Sequence, residues 1–195
     1  MKTIIYAHPY EKSFNHAILT KLTTYFNQTQ QAYQVIDLYK DDFNPRYSKE
    51  ELRLFSRGET PYELVKHYQH LIAQSDELLF IAPIWWHQIP AELKGFFDKV
   101  MLKGFAYEED PEWRGLLTYI NQATVITTAT ITKNDLMTTS GDPIQGNLIN
   151  RVFADIGIAP ANTNWIHFGE ANITTDAVRQ QFLADLPELY VHEQL

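Results

Sequence analysis

The sequence predicts an α/β domain built on a doubly wound, parallel five-stranded sheet. Apolar runs of strand length alternate with segments whose apolar residues recur at helical spacing, the pattern of βαβ units. The strand runs show little polar alternation, as expected of strands buried on both faces of a parallel sheet. The length of 195 residues, 45% hydrophobic and 13% aromatic, suits one compact domain over 1–195 and is cramped for two.

Strands are expected at 3–7, 33–38, 77–82, 123–129 and 165–168. Ser13 can cap a first helix whose apolar face is Phe14, Ile18, Leu22, Tyr25 and Phe26. Thr60-Pro61-Tyr62-Glu63 reads as a capping box with proline at the first helical position, followed by Leu64, Val65, Tyr68, Leu71 and Ile72. Pro90 opens a third helix with Leu93, Phe96, Phe97, Val100 and Met101 inward. Asp142-Pro143 opens a fourth, with Ile144, Leu148, Val152, Phe153 and Ile156 inward and Gly157 at its end. Thr175 can cap the last, with Val178, Phe182, Leu183 and Leu186 inward and Pro187 near its end. Two long connections, 39–59 and 103–121, interrupt the alternation, and connections of that length are often functional.

Composition narrows the function. With 16 basic and 24 acidic residues the net charge is −8, and the acidic excess has no terminal cluster; nucleic acid and anionic membranes are poor partners for it. The absence of cysteine excludes disulfides, thiolate zinc, iron–sulfur clusters and a cysteine nucleophile. No run approaches the ~20 apolar residues of a membrane span, and the first apolar run is too short for a leader core, so a cytoplasmic protein with no membrane insertion is expected. His67 and His70 share a helix face without a third ligand at useful spacing, so no metal is expected.

Five βα units with right-handed crossovers fit a flavodoxin-like strand order 2-1-3-4-5, with a dinucleotide-type sheet as the alternative. In the first order a ligand crevice opens between strands 1 and 3, beyond their carboxyl ends. Three segments face it: 8–15, 83–90 and the stretch after Thr128. The first delivers a helix N-terminus suited to phosphate, where Ser13 and Asn15 add hydrogen-bonding groups; a plain capped helix fits the same residues. The second, Pro83-Ile84-Trp85-Trp86-His87-Gln88-Ile89-Pro90, places two tryptophans and a histidine at the mouth. They suit the wall of a flat-ligand pocket, or a core or dimer contact. Dinucleotide, P-loop, serine-elbow and zincin motifs are absent.

Pro83-x-x-Trp86-x-x-x-Pro90-Ala91-x-Leu93-Lys94-Gly95-Phe96-Phe97, then Gly104-Phe105-Ala106-Tyr107, resembles the flavin-dependent NAD(P)H:quinone oxidoreductases, which include DT-diaphorase-like and potassium-efflux ancillary reductases. Ala7-His8-Pro9, Ser13-Phe14-Asn15 and Asp37-Leu38-Tyr39 are similar to the same family. The resemblance implies a flavin phosphate held by His8, Ser13, Phe14 and Asn15, and a ring contacted by Pro83, Ile84, Trp85 and Trp86. The family's Thr-Thr-Gly-Gly turn corresponds here to Thr127-Thr128-Ala129-Thr130, two side chains where the family has none. Its following tyrosine and histidine are replaced near Asp135 and Gly141, leaving His87 or Tyr107 as candidate catalytic donors.

The resemblance further implies a bound flavin, FMN or FAD, of which the short chain without an obvious adenosine-binding extension favours FMN, and ping-pong hydride transfer from NADPH or NADH through the flavin to a quinone or nitroaromatic acceptor in a homodimer. Two non-enzymatic readings stand beside it. One is a flavin-bound regulatory subunit of a transport system, and the other a flavodoxin-type electron carrier, which lacks support from a hydroxyl- and glycine-rich loop after strand one.

Overall fold

The computed structural model describes residues 1–192; the last residues of the expected domain, 193–195, lie outside the described residues. In chain order the elements are β1 (Lys2–Tyr6), α1 (Phe14–Gln28), β2 (Tyr33–Asp37), α2 (Lys49–Phe55), α3 (Glu63–Ala73), β3 (Glu77–Pro83), α4 (Ala91–Val100), β4 (Tyr107–Glu108), β5 (Arg114–Gly115), β6 (Gln122–Thr128), α5 (Lys133–Thr138), a π-helical segment (Pro143–Phe153), a 3₁₀ turn (Pro160–Asn162), β7 (Thr163–Phe168) and α6 (Asp176–His192). The main sheet is parallel, in the order β2-β1-β3-β6-β7. Numbered among its own strands, that is the expected 2-1-3-4-5.

Alternation along the strands divides the core into two layers. Ile4, Tyr6, Leu79 and Ile81 pack with Ile18, Leu22 and Phe26 of α1 and Leu186 and Tyr190 of α6. Ile5, Leu78 and Phe80 face the opposite layer, with Tyr68 of α3, Phe96 of α4 and Phe153 of the π-helical segment. Every residue of β3 is buried, because the strand is central and covered on both faces.

Several local expectations change. The capping box lies not at Thr60 but at Ser48, whose hydroxyl accepts from the Glu51 amide while the Glu51 carboxylate accepts from the Ser48 amide. It opens α2 inside the connection 39–59. Thr60 instead bonds the Tyr62 amide, and α3 starts at Glu63 without a side-chain cap. The second connection holds the β4–β5 hairpin. The segment after Asp142 is π-helical, with the Asn147 amide bonded to the Asp142 carbonyl at 3.1 Å.

Val178, expected inward, is 49% exposed. In α6, Phe182 meets Phe14 and Tyr190 meets Phe26, so the two helices run alongside in the same sense. Since α1 begins at Phe14, Val178 extends past its end. The same contacts explain why α6 continues through Pro187 to His192, burying Leu186 and Tyr190 across the lost backbone hydrogen bond.

Candidate functional site

The carboxyl ends of β1, β3 and β6 open into a cleft of about 370 Å³. Its first wall is the turn after β1. Ser13 caps α1 by accepting from the His16 amide at 3.1 Å, and Lys12, Ser13, Phe14 and Asn15 line the cleft. The start of α1 thus supplies backbone N–H groups and the positive dipole end, with a lysine beside them. His8 Nδ1 accepts from the Tyr10 amide at 3.1 Å, which leaves the ring proton on Nε2. Burial lowers the His8 pKa and the neighbouring His16 lowers it further, and only the neutral ring can accept from the Tyr10 amide, so the ring is a neutral Nε2–H donor at pH 7.

The second wall is the turn after β3. Pro83, Ile84 and Trp85 line the same cleft, and the Trp85 ring lies 5.9 Å from that of His8. Trp85 and Gln88 exchange two backbone hydrogen bonds, at 2.9 and 3.1 Å, closing a two-residue turn. Its central residues, Trp86 and His87, have φ of 50° and 62°, the left-handed pair that such a turn normally fills with asparagine and glycine. Two bulky residues there cost about 1–2 kcal/mol each. Trp86 is 95% exposed, so packing does not offset that cost.

The third wall follows β6. Thr128, Ala129 and Thr130 line the cleft together with Ala171 and Asn172 from the loop after β7. That loop is clipped on: the Ala171 amide donates to the Ala129 carbonyl at 2.8 Å, and Asn172 Nδ2 donates to the Thr130 hydroxyl at 3.1 Å. Asn15, only 3% exposed, donates from Nδ2 to the Thr128 hydroxyl at 2.8 Å, while its buried Oδ1 has no partner. An unpaired buried carbonyl costs about 1–3 kcal/mol unless a ligand N–H or O–H reaches it.

Of the residues expected at the site, His8, Ser13, Phe14, Asn15, Pro83, Ile84, Trp85, Thr128, Ala129 and Thr130 therefore share one cleft. Trp86 and His87 line an adjoining cleft of about 340 Å³ that shares Ile84, Ala129 and Thr130 with the first. Thr127 lines neither and is 1% exposed. It accepts from Trp165 Nε1 and lies beside His167 Nδ1, each at 2.8 Å, while His167 Nε2 lies 3.0 Å from the Ile131 carbonyl. A carbonyl only accepts, so the proton is on Nε2 and Thr127 donates to Nδ1. Burial lowers the His167 pKa and keeps it neutral. This relay ties β6 and β7 to the segment that forms the third wall.

Tyr107 lies apart from both clefts. Its ring stacks on Trp113 at 4.3 Å, beside an apolar cavity of about 360 Å³ lined also by Phe97, Met101 and Val152. His67 and His70 are exposed on α3, where His70 pairs with Gln74. Sequence reasoning missed Lys12, Ala171, Asn172 and Ser140, which meets His87 at 2.8 Å. Lys12 was signalled by its place in the phosphate-type turn; nothing local marked the other three.

The sheet order, the crevice at its switch point and the helix N-terminus facing it agree with the comparison against known families, in which a flavodoxin-like fold matches residues 2–188. The chain belongs to that flavodoxin-like family. A protein of Haemophilus influenzae named as an uncharacterized NAD(P)H oxidoreductase is 30% identical over 182 residues, covering 92% of this chain and 89% of its own. Mouse ribosyldihydronicotinamide dehydrogenase [quinone] is 29% identical over 121 residues, 54% of this chain, and the match spans only 52% of that relative's length. The solved NAD(P)H:quinone oxidoreductase of Methanothermobacter marburgensis superposes with a TM-score of 0.84 at 28% identity, covering 99% of this chain and 96% of that one. The resemblance read from the motifs and these flavodoxin-like relatives point to the same family.

Proposed function

We propose that this flavodoxin-like protein is a flavin-dependent NAD(P)H oxidoreductase that reduces quinones, nitroaromatics or other flat acceptors. The observation that carries the reading is the cleft at the carboxyl ends of the strands, which a helix N-terminus closes at one end and which is lined by Asn15, whose buried Oδ1 has no partner. A mononucleotide flavin fits that donor set. The amides at the start of α1, the Ser13 region, Lys12 and His8 Nε2 would hold the phosphate; Asn15 and Thr128 would accept from and donate to the polar ribityl or ring edge. FMN is the flavin proposed here, with FAD as the alternative. When bound, the flavin supplies hydride transfer between NAD(P)H and the acceptor in a ping-pong cycle.

The chain's own residues would do the rest. Trp85 closes one side of the ring pocket, and Trp86 offers a flat surface to whatever enters the open side. Ala129 adds a methyl group where the family's turn carries hydrogen, which restricts how close a ring edge can come. His87, at the mouth, is the donor nearest the open side, whereas Tyr107 would act only across a subunit boundary. A homodimer in the cytoplasm completes the reading, with the apolar face around Trp113 as the subunit contact.

The test is the visible spectrum of purified protein after incubation with FMN and desalting, followed by anaerobic NADPH and NADH. Retained flavin that bleaches, and recovers when a quinone is added, is the expected result. Retained flavin that stays oxidised with both nucleotides would replace the enzyme by the regulatory-subunit reading. Loss of all flavin, FAD included, would overturn the cleft assignment.

A further inference from the structure

His87 has an unusual anchorage. Its Nδ1 lies 2.8 Å from the hydroxyl of Ser140, 53 residues away on the loop that follows α5. That loop is fixed from behind: the Ser140 amide bonds the Asp135 carbonyl at 3.1 Å, and the Asp142 amide bonds the Leu136 carbonyl at 3.0 Å. Gly141 and Asp142, at φ of 76° and 50°, turn the chain sharply just after the serine. His87 itself sits in the strained turn, at φ of 62°. Strain of this kind is kept where surrounding structure fixes it, and it concentrates at functional sites. The backbone on both sides of the solvent-exposed His87–Ser140 contact is therefore fixed by hydrogen bonds of its own turn.

We propose that Ser140 is a positioning residue for His87, its Oγ accepting from Nδ1–H, so that Nε2 is the nitrogen that gives and regains the proton needed by the acceptor. The inference rests on the oxidoreductase reading and deepens it. His87 lines the smaller cleft, whose shared wall of Ile84, Ala129 and Thr130 sets an occupant directly beside the larger one. Reduction of a quinone to a hydroquinone takes a hydride, with its electron pair, and one proton. The hydride originates from NAD(P)H, which leaves as NAD(P)⁺. The proton passes from imidazolium Nε2 to the quinone oxygen that gains charge. The neutral ring keeps Nδ1–H on Ser140 and takes its next proton from water, so the sum is quinone + NAD(P)H + H⁺ giving hydroquinone + NAD(P)⁺. A hydrogen-bond partner on one nitrogen fixes the tautomer and orientation with which an imidazole works from the other.

The experiment compares the wild type with Ser140→Ala and Ser140→Thr, each loaded with FMN. Histidine ¹⁵N NMR should find neutral His87 with its proton on Nδ1 in the wild type and Ser140→Thr, and shifted to the Nε2 tautomer in Ser140→Ala. With NADPH, turnover of 1,4-benzoquinone is compared with turnover of ferricyanide, which accepts electrons without a proton. The ratio of quinone to ferricyanide kcat should fall about 10-fold in Ser140→Ala, with KM for NADPH unchanged, and recover in Ser140→Thr. A wild-type ring protonated on Nε2, or a ratio unaltered by Ser140→Ala, would overturn the proposal. A wild type that reduces neither acceptor would overturn the oxidoreductase reading and the proton transfer with it; the tautomer result then tells that failure apart from failure of the hydrogen bond.

Discussion

A tryptophan that is 95% exposed at a φ of 50° has no folding reason to be there. Replacing Trp86 by alanine removes almost no buried surface, and the melting temperature of the ligand-free protein should stay within about 2 °C. If its ring faces bound flavin or acceptor, the FMN Kd should rise about 10-fold, near 1.4 kcal/mol, in a fluorescence titration. An unchanged Kd would remove Trp86 from the site. His167 gives a second expectation at this scale. Its folded pKa is depressed by burial below the ordinary 6.5, so below that value the unfolded chain binds more protons than the native one. Stability contributed by the neutral ring is then full above 6.5 and falls as pH drops toward the folded value. His8, depressed in the same direction, adds to the slope. The urea midpoint should therefore fall between about pH 7 and about pH 5.5, and fall less steeply in His167→Gln. Equal slopes in both proteins would show that the Thr127–His167–Ile131 relay does not carry this dependence.

Lys99 shows why whole elements were harder to read than strands. It lies on α4, 4% exposed, paired at 2.9 Å with Glu51, which is also 4% exposed and is the capping-box residue of α2. Its ammonium also donates to the Asn44 and Arg46 carbonyls and lies over the rings of Phe43 and Tyr62. One lysine thus gathers the connection 39–59 against the core. The strands declared themselves because burial on two faces writes a continuous apolar run. Nothing local says that a polar connection folds around a lysine some fifty residues away, and so α2 was not expected. Ser48 and Glu51 carried a readable capping signal, but Thr60 and Glu63 carried the same one with proline added, and tertiary contacts chose between them. Removing Lys99 would leave Glu51 buried without its cation, so Lys99→Met should cost about 3–5 kcal/mol by urea unfolding. The double variant Lys99→Met, Glu51→Leu should recover a large part of it. A double variant no better than the single one would mean that Lys99 acts through its carbonyl contacts instead.

At the scale of the whole molecule, the order of the sheet and the position of the crevice were legible, because connection handedness leaves few ways to wind five βα units. Contacts that join distant segments at or behind the crevice were not: His87 with Ser140, Asn172 with Thr130 and, buried behind the third wall, Thr127 with His167 each depend on the fold being complete. The face around Trp113 is a similar case. The sequence of the connection 103–121, with Glu108-Glu109-Asp110, reads as a partner surface or a solvated acidic turn with one buried tryptophan; the structure makes it a hairpin whose Trp113 is instead 53% exposed and stacks on Tyr107 at the edge of an apolar cavity. An exposed tryptophan stacked on a buried tyrosine beside apolar lining has the composition of an interface core. If two copies cover this face, light scattering should give a mass twice the 22.7 kDa of one chain. Trp113→Glu would then bring a charge into that contact and shift the mass to a single chain, with the far-ultraviolet circular dichroism unchanged. Since Trp113 otherwise makes one hydrogen bond, from Nε1 to the Asp155 carbonyl at 2.9 Å, its loss should leave the fold intact. A wild type of single-chain mass would exclude the dimer, and Tyr107 as a donor across the boundary would fall with it.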